Sequence, residues 1–221
     1  MATVVYADGR LQIPVWVNDL ASFRRWAESD QFPEEGRVCF INGEVWADMS
    51  RQQIFSHLRL KNAISYALTG LIEQAGTGMY VPDGLRIYSE AADLSAVSDG
   101  AYISYEALRT GRIQLVPGRE HGYTAVDGAP EMVIEVVSDS SVDKDYDWQM
   151  RAYHEAGVQE YWVVDARGAS VEFDIYKAGS KGFAAVRKSA GWVKSAVFGK
   201  SFRLDAGKDP LGNPKYILKV R

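Results

Sequence analysis

Met132-Val-Ile-Glu-Val-Val137 is an apolar run interrupted by one acid, Glu135. A continuous run of this kind suits a central strand buried on both faces. A lone carboxylate inside it is costly to bury unless it is paired, protonated or bound to a metal. Working outward, a helix is expected from about Asp143 to Ala156, closed by Gly157, and leads into a strand at Glu160 to Val164. Asp165-Ala-Arg-Gly168 then turns into Val171 to Tyr176, and strand-like stretches at Phe183 to Val186, Gly191 to Phe198 and Tyr216 to Val220 finish the chain. Upstream, strands are expected at Met79 to Tyr88 and Ala101 to Tyr105, and the long amphipathic pattern from Arg51 to Gln74 reads as a helix stopped by Gly76 to Gly78. Arg37 to Trp46 reads as a hairpin around Asn42-Gly43, Asp19 opens a short helix through Ser22 to Ala27, and Val4 to Trp16 reads as an early strand. The expected fold class is α/β with a mixed sheet.

Nothing in the 221 residues reads as a linker, so one domain spanning 1–221 is expected. Hydrophobic residues at 47% and charged residues at 24% suit a chain with a sizeable core rather than a disordered one. The apolar runs fall far short of the roughly 20 residues a membrane helix needs, and residues 1–18 lack secretory features, so a cytoplasmic location is expected. Cys39 is the only cysteine and the histidines number three, which excludes an internal disulfide and disfavours thiolate-rich or histidine-rich metal sites. From Lys181 onward ten Lys or Arg face only Asp205 and Asp209, a local charge of +8 that leaves −12 on residues 1–180. That asymmetry suits a basic surface for a polyanion beside an acidic metal site; the alternative is the solvated faces of late strands.

Asp99, opening the strand Ala101 to Tyr105, is the best second acid for Glu135. Two carboxylates from neighbouring strands make a hard-oxygen site suited to Mg²⁺, which keeps several waters and prefers phosphate as co-ligand. The alternatives are a buried salt bridge for Glu135 and a plain turn at Ser98-Asp99-Gly100. Pro82-Asp83-Gly84 and Pro130-Glu131 lack the spacing for a first metal acid and are read as turns. His57 and Lys61, four apart on the long helix, face either the site or the solvent.

Ala129-Pro-Glu-Met-Val-Ile-Glu-Val-Val-Ser138, followed by Asp145, Tyr153 and Ala156-Gly-Val-Gln-Glu-Tyr-Trp-Val-Val-Asp165, resembles the core signature of the Uma-type restriction endonuclease family within the PD-(D/E)XK superfamily. Ile41-Asn-Gly-Glu-Val45 and Ser98-Asp99-Gly100 resemble its early glycine-acid turn and its proline-aspartate strand entry. The resemblance covers about Arg37 to Tyr176 and implies a restriction-endonuclease-like core, with the basic strands of 181–221 as an addition. It further implies a Mg²⁺ or Mn²⁺ site at Asp99 and Glu135, Glu44 as a third acidic group, and DNA as substrate and partner.

The chain departs from the pattern at its cation. A lysine two residues after the acid would be Val137, and the lysine that the family usually carries in the following helix is Gln149. Glutamine can orient water but adds no charge to a transition state. Lys144 and Arg151 are the available substitutes, and at about 100° per residue neither shares the face of Gln149. Three functions follow: a metal-dependent DNA endonuclease using Glu44, Asp99, Glu135 and Gln149; a catalytically impaired nucleic-acid-binding or assembly module; or a hydrolase of a smaller phosphate ester. No membrane partner is expected, and a homodimer is a possible assembly.

Overall fold

The computed structural model describes residues 11–118, 121–168 and 170–221. The elements run α1 (Leu20–Ala27), β1 (Arg37–Ile41), β2 (Glu44–Asp48), α2 (Leu60–Ala75), β3 (Gly78–Ser89), β4 (Leu94–Ser104) and α3 (Tyr105–Arg109). They continue through β5 (Gln114–Pro117), β6 (Tyr123–Asp127), β7 (Met132–Val136), α4 (Gln149–Ala156), β8 (Glu160–Asp165), β9 (Glu172–Gly179) and β10 (Gly182–Ala185). The last three are β11 (Val193–Lys194), β12 (Ser201–Lys208) and β13 (Pro214–Val220). Single π-helical turns, Ile54–Arg59 and Lys144–Trp148, precede α2 and α4.

The apolar run is β7, buried along its whole length. Its residues alternate between faces, as strand geometry requires. Met132, Ile134 and Val136 pack with Leu60, Ile64, Leu68 and Ile72 of α2, while Val133 packs with Ala152 and Tyr153 of α4. β7 pairs in parallel with β8 and antiparallel with β4, inside a mixed sheet ordered β10-β9-β8-β7-β4-β3-β6-β5 with the β1–β2 hairpin attached to β4. A parallel pair needs a crossover, which the π-turn and α4 supply. Strands β11-β12-β13 form a separate antiparallel sheet whose Phe202 and Leu218 join the core on the α2 side. Buried Glu160 on β8 anchors it, accepting from Ser195 Oγ at 2.6 Å and Trp162 Nε1 at 3.0 Å.

The edge of β4 that faces β7 is shared by two partners. Leu94 and Ser95 pair with β1, and Gly100 to Tyr102 pair with β7. Between these pairings β1 and β7 diverge. The resulting fork in the sheet positions the candidate site.

Several expectations are corrected. Ser98-Asp99-Gly100 lies inside β4, which starts at Leu94 rather than near Ala101. Gly100 serves close packing there, since a Cβ would meet the Tyr80 hydroxyl at 2.1 Å. Pro82-Asp83-Gly84 is a bulge within β3, with Asp83 and Gly84 at φ 44° and 81° and a register shift between Pro82 and Leu85. The early strand at Val4 to Trp16 lies outside the described residues up to residue 10 and has no strand over 11–16. Leu11, Phe23 and Trp26 build a hydrophobic cluster against Val38 and Phe40, and β10 is an edge strand of the main sheet. Strands β5, β6 and β12 were not expected, and Gly191 to Phe198 contains only the two-residue β11. The Asn42-Gly43 hairpin has positive φ at both residues, 49° and 81°, and the helix capped by Asp19 is present, with Ser22 N donating to its carboxylate at 2.7 Å. Among the described residues no helix is long and apolar enough to cross a membrane.

Candidate active site

Because β1 and β7 part beside β4, the Val136 backbone has no strand partner on that side, and side chains take over. Asp99 Oδ2 accepts from Val136 N at 2.7 Å, and His57 Nε2 lies 2.9 Å from Val136 O, so that nitrogen carries the proton. Asp99 thus reaches across the fork to the strand that carries Glu135. Both acids line one cleft of about 650 Å³, together with Arg37, His57, Asp83 and Lys144.

Asp99 sits among two cations and a histidine. Arg37 is 2.6 Å from its Oδ1, Lys61 Nζ 3.4 Å from the same oxygen, and His57 Nε2 3.7 Å from Oδ2. Burial raises its pKa, but Arg37, Lys61 and the hydrogen bond from Val136 N outweigh burial and leave the carboxyl below the usual range. Burial itself pushes the His57 pKa down, so the ring is neutral at pH 7 despite Asp99.

Glu135 is met by neutral donors. Its Oε1 accepts from Gln149 Nε2 at 2.8 Å and from the Tyr153 hydroxyl at 3.1 Å. Burial pushes this carboxyl well above the usual range, Lys144 opposes the shift, and Asp99 and Asp145 add to it. The Lys144 ammonium stands one residue further back, donating to Gln149 Oε1 at 2.8 Å and lying 2.9 Å from Asp145 Oδ1. Burial lowers its pKa, yet Asp145 and Glu135 more than compensate, so it stays charged.

Of the four residues expected in the site, Asp99, Glu135 and Gln149 converge and Glu44 does not. Glu44 is exposed at the hairpin end of β2 and is not among the cleft-lining residues. Asp48 lies on the same face four residues on, roughly 13 Å along the strand, and it reaches the rim, accepting from Ser140 Oγ at 2.8 Å. The helical-wheel argument against Lys144 fails because the preceding turn is π-helical. Gln149 N donates to Lys144 O, an i to i+5 bond that brings both side chains onto one face. Arg151 lies on the exposed side and pairs with Asp147. His57 and Lys61 are buried against Asp99 rather than solvated, the first within a π-turn and the second just after it. Arg37 and Asp83 were missed as site residues: no local pattern in the sequence marks Arg37, and the Pro82-Asp83 pair reads as a turn on its spacing. None of the ten basic residues from Lys181 onward lines the cleft; Lys188 pairs with Asp174 on β9, and Arg203 and Lys219 pair with Asp205.

Among the described residues no cluster of three or more His, Cys, Asp or Glu could hold a metal. Mg²⁺ needs fewer, since one or two carboxylates plus waters and substrate oxygens suffice. The donor chemistry fits such an ion. Glu135 is a buried carboxylate whose direct partners are uncharged, and Asp99 faces the same cleft from the adjacent strand.

A solved structure described as a "putative nuclease belonging to DUF820", from Anabaena variabilis, superposes with a TM-score of 0.61 at 17% identity, covering 82% of this chain and 90% of that one. No curated protein matches the chain. The family model described as "Putative restriction endonuclease" matches residues 20–184, through every element from α1 to β10, and the chain belongs to this family, Uma2.

Proposed function

We propose that the protein is a divalent-metal-dependent endonuclease that hydrolyses DNA phosphodiester bonds in the cleft at the β1–β4–β7 fork. Family membership and the nuclease-like fold support a nuclease. The observation that carries the finer reading is the opposed pair Asp99 and Glu135, buried on adjacent strands and open to one cleft. Mg²⁺ or Mn²⁺ held by these carboxylates would supply Lewis-acid stabilisation of the anionic transition state and acidify a bound water. Gln149 and Tyr153 fix the orientation of the Glu135 carboxylate through Oε1. Lys144 polarises the Gln149 amide from behind and adds a fixed positive charge, standing in for the lysine expected at 149. His57 holds the Val136 carbonyl and with it the end of β7.

The second reading, a nucleic-acid-binding or assembly module, is favoured by one observation. Lys144 is only 8% exposed and engaged with Gln149 and Asp145, so its charge reaches the cleft indirectly. Supercoiled plasmid incubated with Mg²⁺ or Mn²⁺ separates the two. Nicking by the wild type that is lost in Asp99→Ala supports the enzyme; shifted mobility in a gel without any cleavage in either metal supports the module.

A further inference from the structure

Asp83 is strained, exposed and yet bonded to the heart of the cleft. The β3 bulge holds it at φ 44°, a left-handed conformation that costs a non-glycine residue about 1 kcal/mol or more. The bulge hangs its carboxylate at the cleft mouth, across from Asp99. There Arg37 lies 2.5 Å from Asp83 Oδ1 and Lys61 2.9 Å from Asp83 Oδ2, while both cations also contact Asp99 Oδ1. The four groups close a ring of two cations and two carboxylates.

The two carboxylates of that ring differ in how firmly they are held. The Asp99 side chain is 2% exposed and tied to the Val136 N–H, whereas the Asp83 side chain is 44% exposed and its carboxylate bonds to the two cations. Remove Asp83, and Arg37 and Lys61 carry one uncompensated positive charge towards solvent. Their donors are spaced to take the two oxygens of one anion. Phosphate and carboxylate both offer such an oxygen pair to arginine.

We propose that Arg37 and Lys61 form a phosphate subsite at the cleft mouth and that Asp83 is its resident occupant, displaced when a phosphodiester enters. The substrate class rests on the nuclease reading above, whereas the subsite is tested without catalysis. The test titrates inorganic phosphate and a short labelled single-stranded oligonucleotide into the full chain in EDTA. Asp83→Asn, whose side chain tolerates positive φ, should bind phosphate about ten-fold tighter, the scale of one charge-assisted hydrogen bond. Adding Arg37→Gln or Lys61→Gln should erase the gain. Asp139→Asn, at a 91%-exposed acid on the cleft rim, should leave the affinity unchanged. An unaltered affinity in Asp83→Asn, a gain that survives Arg37→Gln, or an equal gain from Asp139→Asn would overturn the subsite. If Asp83→Asn melts early, Asp83→Gly gives the same readout, because glycine accepts this backbone without strain. Plasmid cleavage measured in parallel keeps the two ideas apart. Tighter phosphate binding with no cleavage by any variant retains the subsite and removes the nuclease; cleavage with no affinity change does the reverse.

Discussion

Asp99 spends both oxygens on Arg37, Lys61 and the Val136 N–H, while Glu135, on the next strand and in the same cleft, receives only an amide and a phenol. One carboxyl is held ionised by its neighbours, and the other is pushed towards its neutral form by burial. The difference separates an acid already supplied with cations from one that is not. Asp99 is stabilised by cations already present in the fold, whereas Glu135 is left in want of one. A site that carries one satisfied and one unsatisfied acid has its capacity for an added cation concentrated at the second.

The largest effect tests that assignment directly. Glu135→Ala should abolish Mn²⁺ binding in isothermal titration and lower any cleavage rate roughly 10³-fold, the scale of losing several kcal/mol of metal-based stabilisation. Wild-type affinity for Mn²⁺ in Glu135→Ala would eliminate the acid pair as a metal site.

Next in size is a prediction on the Glu135 flank, where the sequence alone suggests that a lysine at 149 restores a lost charge. Gln149 is fully buried and takes the Lys144 ammonium on its Oε1, so Gln149→Lys sets two ammoniums against each other without solvent. The new ammonium meets Glu135, but Lys144 loses its acceptor and faces a like charge, so a loss of about 3 kcal/mol in unfolding free energy is expected, the scale of leaving a buried charge short of a partner. Lys144→Met in the same chain should recover most of it. A single Gln149→Lys variant as stable as the wild type in urea denaturation would mean that Lys144 can leave its place, and the charge relay drawn here would fall.

How much of this was legible in the sequence follows the same division. Glu135 was readable because an acid within a buried run has few explanations, and the Asn42-Gly43 hairpin and the Gly157 stop were readable because they rest on local backbone chemistry. Asp99 was found, but as a strand opener, since Ser, Asp and Gly in series look like a turn until β3 and β7 pair with them. The sequence misplaces Lys144 and leaves His57 and Lys61 open between site and solvent, because each lies in or just after a π-turn that shifts the phase of the helical wheel. Glu44 was misjudged by distance along a strand rather than by face. Arg37 and Asp83 meet only through tertiary pairing, 46 residues apart, and no window of sequence contains both.

The smallest effects give the comparison its sharpest form, because the two acids should respond to neutral isosteres with opposite sign in metal-free buffer. Asp99→Asn strips Arg37 and Lys61 of a buried partner and should cost about 3 kcal/mol at pH 7. Glu135→Gln relieves a buried charge, and its carbonyl can still accept from Gln149 and Tyr153, so a gain is expected, smaller than the loss in Asp99→Asn. The pH dependence separates them further. A depressed pKa contributes stability above the unfolded-state value that is lost as pH falls through the folded value, so Asp99→Asn should flatten the acid limb of the melting profile. A raised pKa contributes stability below the unfolded-state value that is lost as pH rises through the folded value. Glu135→Gln should therefore match the wild type in acid and pull ahead as pH climbs. Melting both variants in EDTA across the carboxylate range and up to pH 8 reads both limbs. Parallel curves for Glu135→Gln and wild type would show that Glu135 already has its counter-charge, most simply Lys144 acting through Gln149, and would remove the reason for it to recruit a metal.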